Sequence, residues 1–152
     1  MPKSKAQKFS YEYPRPALTV DIAIVTRDVR PEVLLIRRKN KPFAGSWALP
    51  GGFVDENERL ADAARRELRE ETGIVTAVLE QVYTAGDPGR DPRSWTVSVV
   101  YLAQVHPAEV KPEAADDAAE VAWYPLDELP VLAFDHEMLI ARVRAILIER
   151  SE

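Results

Sequence analysis

The chain has 152 residues, 46% of them hydrophobic and 30% charged, with 12 prolines, no cysteine and a formal net charge of −5 at pH 7. That length suits one domain with a real core, and the composition is ordinary for a soluble globular protein. The lack of cysteine excludes disulfides, thiolate zinc sites and a cysteine nucleophile, the negative charge argues against a nucleic-acid partner, and the apolar runs are too short to span a bilayer, so no membrane partner is expected. With no signal peptide ahead of the first apolar segment, the expected location is the cytoplasm.

Residues 1–10 carry Lys3, Lys5 and Lys8 with little to bury, and are expected to form a mobile tail. Tyr11 to Pro16 holds two tyrosines and two prolines, which predicts an extended segment packed on something. Ala17 to Val25 is rich in β-branched residues and predicts a strand. Arg30-Pro31 makes a turn, and Val33 to Arg38 forms the second strand of a hairpin. That strand ends in Arg37, Arg38 and Lys39, a cationic cluster suited either to a solvated edge or to a substrate phosphate. Asn40 to Trp47 is a loop, with Trp47 expected in the core.

Gly51-Gly52 makes a turn before a helix from about Glu58 to Thr72, and Gly73 stands where a left-handed C-cap belongs. At about 100° per residue, Leu60, Ala64 and Leu68 mark the core face, and Glu67 and Glu71 fall within about 20° of Leu60. Arg65, Arg69 and Asp62 point to water. Neither Glu67 nor Glu71 has a basic residue three or four positions away, so neither is expected to have a partner on its own helix. Two carboxylates sharing a buried side repel each other, and a hard cation would convert that repulsion into coordination. Glu70 has Arg66 four positions before it, and a surface ion pair would account for it.

Gly52, Glu58, Arg66, Glu67, Leu68, Glu70, Glu71, Gly73 and Ile74 match every specified position of the pattern G-x5-E-x7-R-E-U-x-E-E-x-G-U, where U is a bulky aliphatic. The stretch resembles the Nudix box. The resemblance implies a Nudix-type α/β/α sandwich with a mixed sheet, and hydrolysis of a nucleoside diphosphate linked to another moiety, with Mg2+ or Mn2+. It implies that Glu67, Glu70 and Glu71 bind the metal, with the Gly51 carbonyl as a further ligand. Glu58 and Arg66 would orient those ligands.

After the box, Val75 to Thr84 and Val97 to Val105 predict strands. The loop between them, Ala85 to Ser94, is longer than a hairpin needs. It carries Arg90 and Arg93 beside Asp87 and Asp91, a set suited either to binding phosphate or to a turn held by Asp–Arg pairs. Asp87-Pro-Gly-Arg-Asp-Pro-Arg93 and Pro14-Arg-Pro-Ala-Leu-Thr-Val-Asp21 resemble ADP-ribose pyrophosphatases within the Nudix family. Arg37, Arg90, Asp91 and Arg93 are therefore the substrate-binding candidates. Similar stretches occur in the Nudix-like domains of ADP-ribose-sensing repressors.

His106 to Glu120 reads as an acidic irregular segment. In the family a carboxylate near such a loop often completes the site, so Asp116, Asp117 and Glu120 are candidates for the base. Val121 to Tyr124 predicts a short strand, Pro125 to Leu129 a helical turn, and Leu132 to Arg150 an amphipathic helix with Leu139, Val143, Ile146 and Leu147 on one face. His136 is expected to cap that helix or lie on the surface. The favoured reading is ADP-ribose hydrolysis to AMP and ribose 5-phosphate. The alternatives are a Nudix (d)NTP or dinucleotide pyrophosphatase, and a non-catalytic ADP-ribose sensor. The complete set of box glutamates, and the few residues after the last helix, favour an enzyme. Its partner would be a small nucleotide, and the resemblance also admits a homodimer.

Overall fold

The computed structural model describes residues 8–75, 78–115 and 118–152. Its strands are β1 (Ala17–Thr26), β2 (Glu32–Arg38), β3 (Trp47–Ala48), β4 (Gly51–Phe53), β5 (Glu80–Ala85), β6 (Thr96–Val105) and β7 (Ala118–Pro125). Its helices are α1 (Leu60–Thr72) and α2 (His136–Ser151), and Pro107–Glu109 adds one 3-10 turn. The strands form one mixed sheet in the order β3-β2-β1-β6-β5, with β4 beside β1 and β7 beside β2. β1 and β6 run parallel over ten residue pairs, from Ala17 opposite Thr96 to Thr26 opposite Val105. The other pairings are antiparallel.

Alternation along β1 divides the core. Val20, Ile22 and Ile24 pack with Ala63, Ala64 and Leu68 of α1. Ala23 and Val25 pack on the other face with Leu139, Ile140 and Val143 of α2. The expected sandwich of a mixed sheet between helices is therefore present. The hairpin also forms, with Val25 opposite Val33. Lower down, the edge of β1 is taken by β4, with Thr19, Val20 and Asp21 opposite Phe53, Gly52 and Gly51. β2 instead continues with β3 and β7. A cavity opens where β1 and β2 part, and the box residues sit on its rim.

Several boundaries differ from the sequence reading. α1 begins at Leu60, because Glu58 turns its carboxylate to the Asp55 N–H and to Arg66. The strand expected from Val75 starts at Glu80, where pairing with Leu102 begins, and Val75 and Val78 are exposed. β7 starts at Ala118, so Glu120 lies on a strand. α2 starts at His136, four residues later than expected. Tyr11 and Tyr13 are exposed, with Arg15 stacked over the Tyr11 ring, so that segment is not packed into the core. Trp47 is half-buried with its ring edge-on to Tyr124 at 5.0 Å. Residues 1–7, Asp116 and Asp117 lie outside the described residues.

Gly73 closes α1 at φ 76°, with its N–H bonded to the Arg69 carbonyl. A Cβ there would touch nothing, so the cost of a side chain is conformational alone. Gly73→Ala is expected to lower stability by about 1 kcal/mol, or roughly 2–4 °C in Tm. Differential scanning calorimetry checks this, and an unchanged Tm would contradict it.

Candidate active site

The side chains of the box are gathered by one guanidinium. Arg66 Nε donates to Glu58 Oε2 at 2.8 Å and Nη2 to Glu58 Oε1 at 2.9 Å. Nη1 donates to Glu67 at 2.7 Å and to Glu70 at 3.2 Å, and Nη2 also reaches the Phe53 carbonyl at 3.0 Å. Asp55 adds a carboxylate 3.5 Å from Nε. The Glu70 pair is the one expected from the i, i+4 spacing. Glu67 does have a basic partner on its own helix, contrary to the sequence reading. The partner is the adjacent Arg66, a neighbour that a search at three- and four-residue spacing passes over.

The two core-side carboxylates are placed as the helix geometry predicts. Glu71 is buried, and its Oε1 accepts the Gly51 N–H at 3.0 Å. The carboxylate of Glu67 lies against Gly52, so close that a Cβ there would meet its carboxyl carbon at 2.5 Å. A Cβ on Gly51 would collide with the Val20 carbonyl at 2.2 Å. The Gly-Gly pair is therefore needed for contact with the sheet on one side and with the helix carboxylates on the other. Burial pushes the Glu67 carboxyl above the ordinary range, partly countered by Arg66. The Arg66 guanidinium is held strongly protonated, chiefly by its bonds to Glu58.

Glu67, Glu70, Glu71, Gly51 and Gly52 line a cavity of about 1140 Å³, roomy enough for a ligand of dinucleotide size. The same cavity is also lined by the cations Arg38, Lys39, Lys41, Arg90 and Arg93. Of the sequence candidates, Arg90, Asp91 and Arg93 are there. Arg37 is not among the lining residues. Neighbouring strand residues project to opposite faces, and Arg37 turns away to the Gly45 carbonyl and to Glu120 at 3.3 Å, while Arg38 enters the cavity. Glu120 is thus an exposed partner of Arg37 outside the cavity, and Glu58 bonds to Arg66 and to the Asp55 N–H.

The loop arginines are braced, each in a different way. Arg90, almost buried, makes a two-pronged pair with Asp135 at 2.8 and 2.7 Å, which ties the loop to the start of α2. Arg93 makes a two-pronged pair with buried Asp91. Burial alone would raise the Asp91 carboxyl, but the Arg93 bonds outweigh it and hold that carboxyl below the usual range. The Arg93 guanidinium also lies over Phe53 at 4.9 Å and over Phe134 at 5.0 Å, and Arg38 lies over Phe134 at 5.0 Å. Phe134 holds this place at φ 52°. Neither Phe134 nor His136 stood out in the sequence as site residues, and both line the cavity.

Among the described residues, no three acidic or histidine side chains converge as a ready-made metal cage. The chemistry of the donor set nevertheless suits a hard divalent cation: three carboxylates on one cavity wall, one of them desolvated, and all donors oxygen.

A family model described as the NUDIX domain matches residues 15–143. Over 128 residues the chain is 44% identical to an ADP-ribose pyrophosphatase of Methanocaldococcus jannaschii, covering 84% of this chain and 73% of that protein. It is 40% identical over 145 residues to the ADPR responsive transcriptional repressor NtrR of Acinetobacter baylyi, covering 92% of this chain but only 58% of the repressor. The chain thus spans little more than half of that relative. In structure it is similar to the NUDIX domain of Shewanella oneidensis NrtR complexed with ADP ribose, with a TM-score of 0.79, 38% identity, and 89% and 90% of the two chains covered. Among the described residues no helix is long and apolar enough to cross a membrane.

Breaking the Arg66 hub leaves several carboxylates crowded without their cation. Arg66→Gln is expected to cost about 3 kcal/mol at neutral pH, as for a buried pair that loses one member. Protonation relieves that crowding, so the deficit should shrink as pH falls into the carboxylate range, about pH 4–5. Urea denaturation of both proteins at the two pH values measures it. A deficit independent of pH would show that packing, not charge, makes the difference.

Proposed function

The chain belongs to the NUDIX hydrolase family, and we propose that its reaction is the hydrolysis of ADP-ribose to AMP and ribose 5-phosphate. The observation that carries this reading is that one cavity is lined both by the box carboxylates and by a set of guanidinium and ammonium groups. A pyrophosphate between two nucleoside-like halves needs both, one for the bridging phosphates' cation and one for the phosphate oxygens. The identity to the M. jannaschii ADP-ribose pyrophosphatase, and the likeness to a NUDIX domain complexed with ADP ribose, support the same ligand.

Glu67, Glu70 and Glu71 would hold Mg2+ or Mn2+, with the Gly51 carbonyl as a further ligand. Such an ion, when bound, neutralises pyrophosphate oxygens and makes a coordinated water more acidic. The chain's own residues do the rest. Gly51 and Gly52 let the backbone lie against Glu71 and Glu67. Arg66 and Glu58 keep the carboxylates from drifting apart. A water attacks phosphorus, the bridging P–O bond breaks, and the water's proton passes to a box carboxylate. Glu70 suits that role, because its side chain is the most exposed of the three and Glu120 is turned to Arg37. Arg93 and Arg90 position phosphate or the terminal ribose. Arg93 is the better placed of the two to bind, since Asp135 and burial occupy Arg90.

A second reading, binding of ADP-ribose without turnover, is favoured by the similarity to NtrR over 92% of this chain. Product formation across ADP-ribose, NADH, dinucleoside polyphosphates and dNTPs separates the readings. We expect cleavage of ADP-ribose that stops on chelation with EDTA. Tight ADP-ribose binding without products, at saturating Mg2+ or Mn2+, would favour the sensor.

Glu71→Gln is expected to bring hydrolysis close to zero with the fold retained, as judged by circular dichroism. Wild-type turnover in this variant would refute the metal assignment. Arg93→Ala is expected to lower kcat/KM for ADP-ribose roughly ten- to hundredfold, as for a lost charge-assisted hydrogen bond. The loss should be smaller for a dinucleotide that lacks a free terminal ribose. Equal losses on both substrates would remove Arg93 from recognition. Asp91 would lose the guanidinium in the same variant and keep the backbone N–H of residue 93.

A further inference from the structure

His136 is a histidine at the start of a helix, a setting where exposure is the ordinary expectation. It is instead 4% exposed, it lines the cavity, and it bonds to a distant part of the chain. Its Nδ1 accepts the backbone N–H of Leu49 at 3.0 Å. A ring nitrogen that accepts carries no proton, so in the neutral ring the proton sits on Nε2. Burial lowers the pKa and keeps the ring neutral. Nε2 faces Asp21 Oδ1 at 3.4 Å, and the other oxygen of Asp21 accepts the Ser98 hydroxyl. Ser98 is fully buried and Asp21 nearly so. Strands β1 and β6 and helix α2 thus each contribute one polar group to a buried line ending on the Leu49 N–H.

The segment at the end of that line is the one that meets the box helix. Leu49 is followed by Pro50, whose carbonyl accepts the Ile22 N–H at 2.8 Å, and then by Gly51, whose N–H donates to Glu71 at 3.0 Å. Gly51 lies opposite Asp21 in the β1–β4 register. Asp21 is therefore both the sheet partner of Gly51 and the group facing His136. A rigid Pro50 separates the two contacts, so a displacement at Leu49 passes directly to Gly51.

We infer that His136 is a positioning residue that fixes Leu49-Pro50-Gly51, and through it the placement of Glu71 in the carboxylate cluster. This inference rests on the reading of that cluster as the cation site. A histidine that only filled space would be replaceable by any ring of its size. A positioning histidine requires an acceptor at Nδ1.

Two substitutions divide these cases. His136→Phe keeps a ring and removes the acceptor. His136→Asn puts an amide oxygen near the Nδ1 position and can still serve Leu49. Mn2+ binding, followed by the electron-paramagnetic signal of the free ion, and steady-state hydrolysis of ADP-ribose are measured on both full-length variants. His136→Phe is expected to bind Mn2+ roughly tenfold more weakly and to lose about tenfold in kcat with little change in KM, the scale of one lost hydrogen bond. His136→Asn should recover most of both. Amide exchange at Gly51, measured without metal, should be faster in the Phe variant and near wild type in the Asn variant.

A folded Phe variant with wild-type Mn2+ affinity, kcat and Gly51 exchange would overturn the inference. If the Phe variant does not fold, His136→Gln takes its place, since its longer side chain carries the acceptor past Leu49. Equal behaviour of the Gln and Asn variants would then overturn it. Wild-type protein that binds Mn2+ without cleaving ADP-ribose would sink the substrate assignment instead. The Mn2+ and exchange comparisons would still decide the role of His136.

Discussion

The candidate site depends on one cation held inside a ring of anions. Arg66 touches Glu58, Glu67, Glu70 and the Phe53 carbonyl, and lies near Asp55. Without it, four acidic side chains would face one another in a partly desolvated corner, where repulsion is stronger than in water. Arg66 engages one oxygen of Glu67 and one of Glu70, and a divalent ion bound to those carboxylates would share them with it. The arginine therefore acts as a placeholder that keeps the carboxylates near one another and leaves them partly neutralised before any metal arrives. That is pre-organisation in electrostatic form, and it explains why a carboxylate-rich helix can pack against a sheet at all.

The cavity has a second constraint in the loop that carries Arg90 and Arg93. The guanidinium of Arg93 is fixed at its edge by Asp91 and on its faces by Phe53 and Phe134. Arg90 is fixed by Asp135. Both restraints reduce the side-chain freedom that a ligand would otherwise have to remove on binding. The two readings offered for the loop in the sequence, a turn held by Asp–Arg pairs and a binding surface, are compatible. The pair makes the turn, and the same guanidinium lines the cavity.

What could be read from the sequence was local. The helix period put Glu67 and Glu71 on the core side, and they are there. Gly73 took the left-handed conformation that its place after the last periodic residue required. The i, i+4 rule found the Arg66–Glu70 pair. What escaped was set by partners distant in the chain. His136 is buried because Leu49 and Asp21 need it, and nothing near residue 136 signals that. Arg38 rather than Arg37 enters the cavity because of how β2 pairs with β7, including a register shift between those two residues. The Asp135 that restrains Arg90 lies 45 positions away.

The long parallel pairing of β1 with β6 has a consequence for how the molecule is made. Every pair in it joins residues roughly eighty positions apart, and contacts of such separation close large loops and slow folding. β4 reaches its place only by pairing with β1, yet α1 is made of contiguous residues and can form early. During synthesis the helix would then emerge with Arg66 already able to meet Glu67 and Glu70, before β6 exists to complete the sheet beneath it. The cluster most prone to charge repulsion is thus assembled around its own arginine first. The sheet that buries it closes afterwards, when the last third of the chain has left the ribosome.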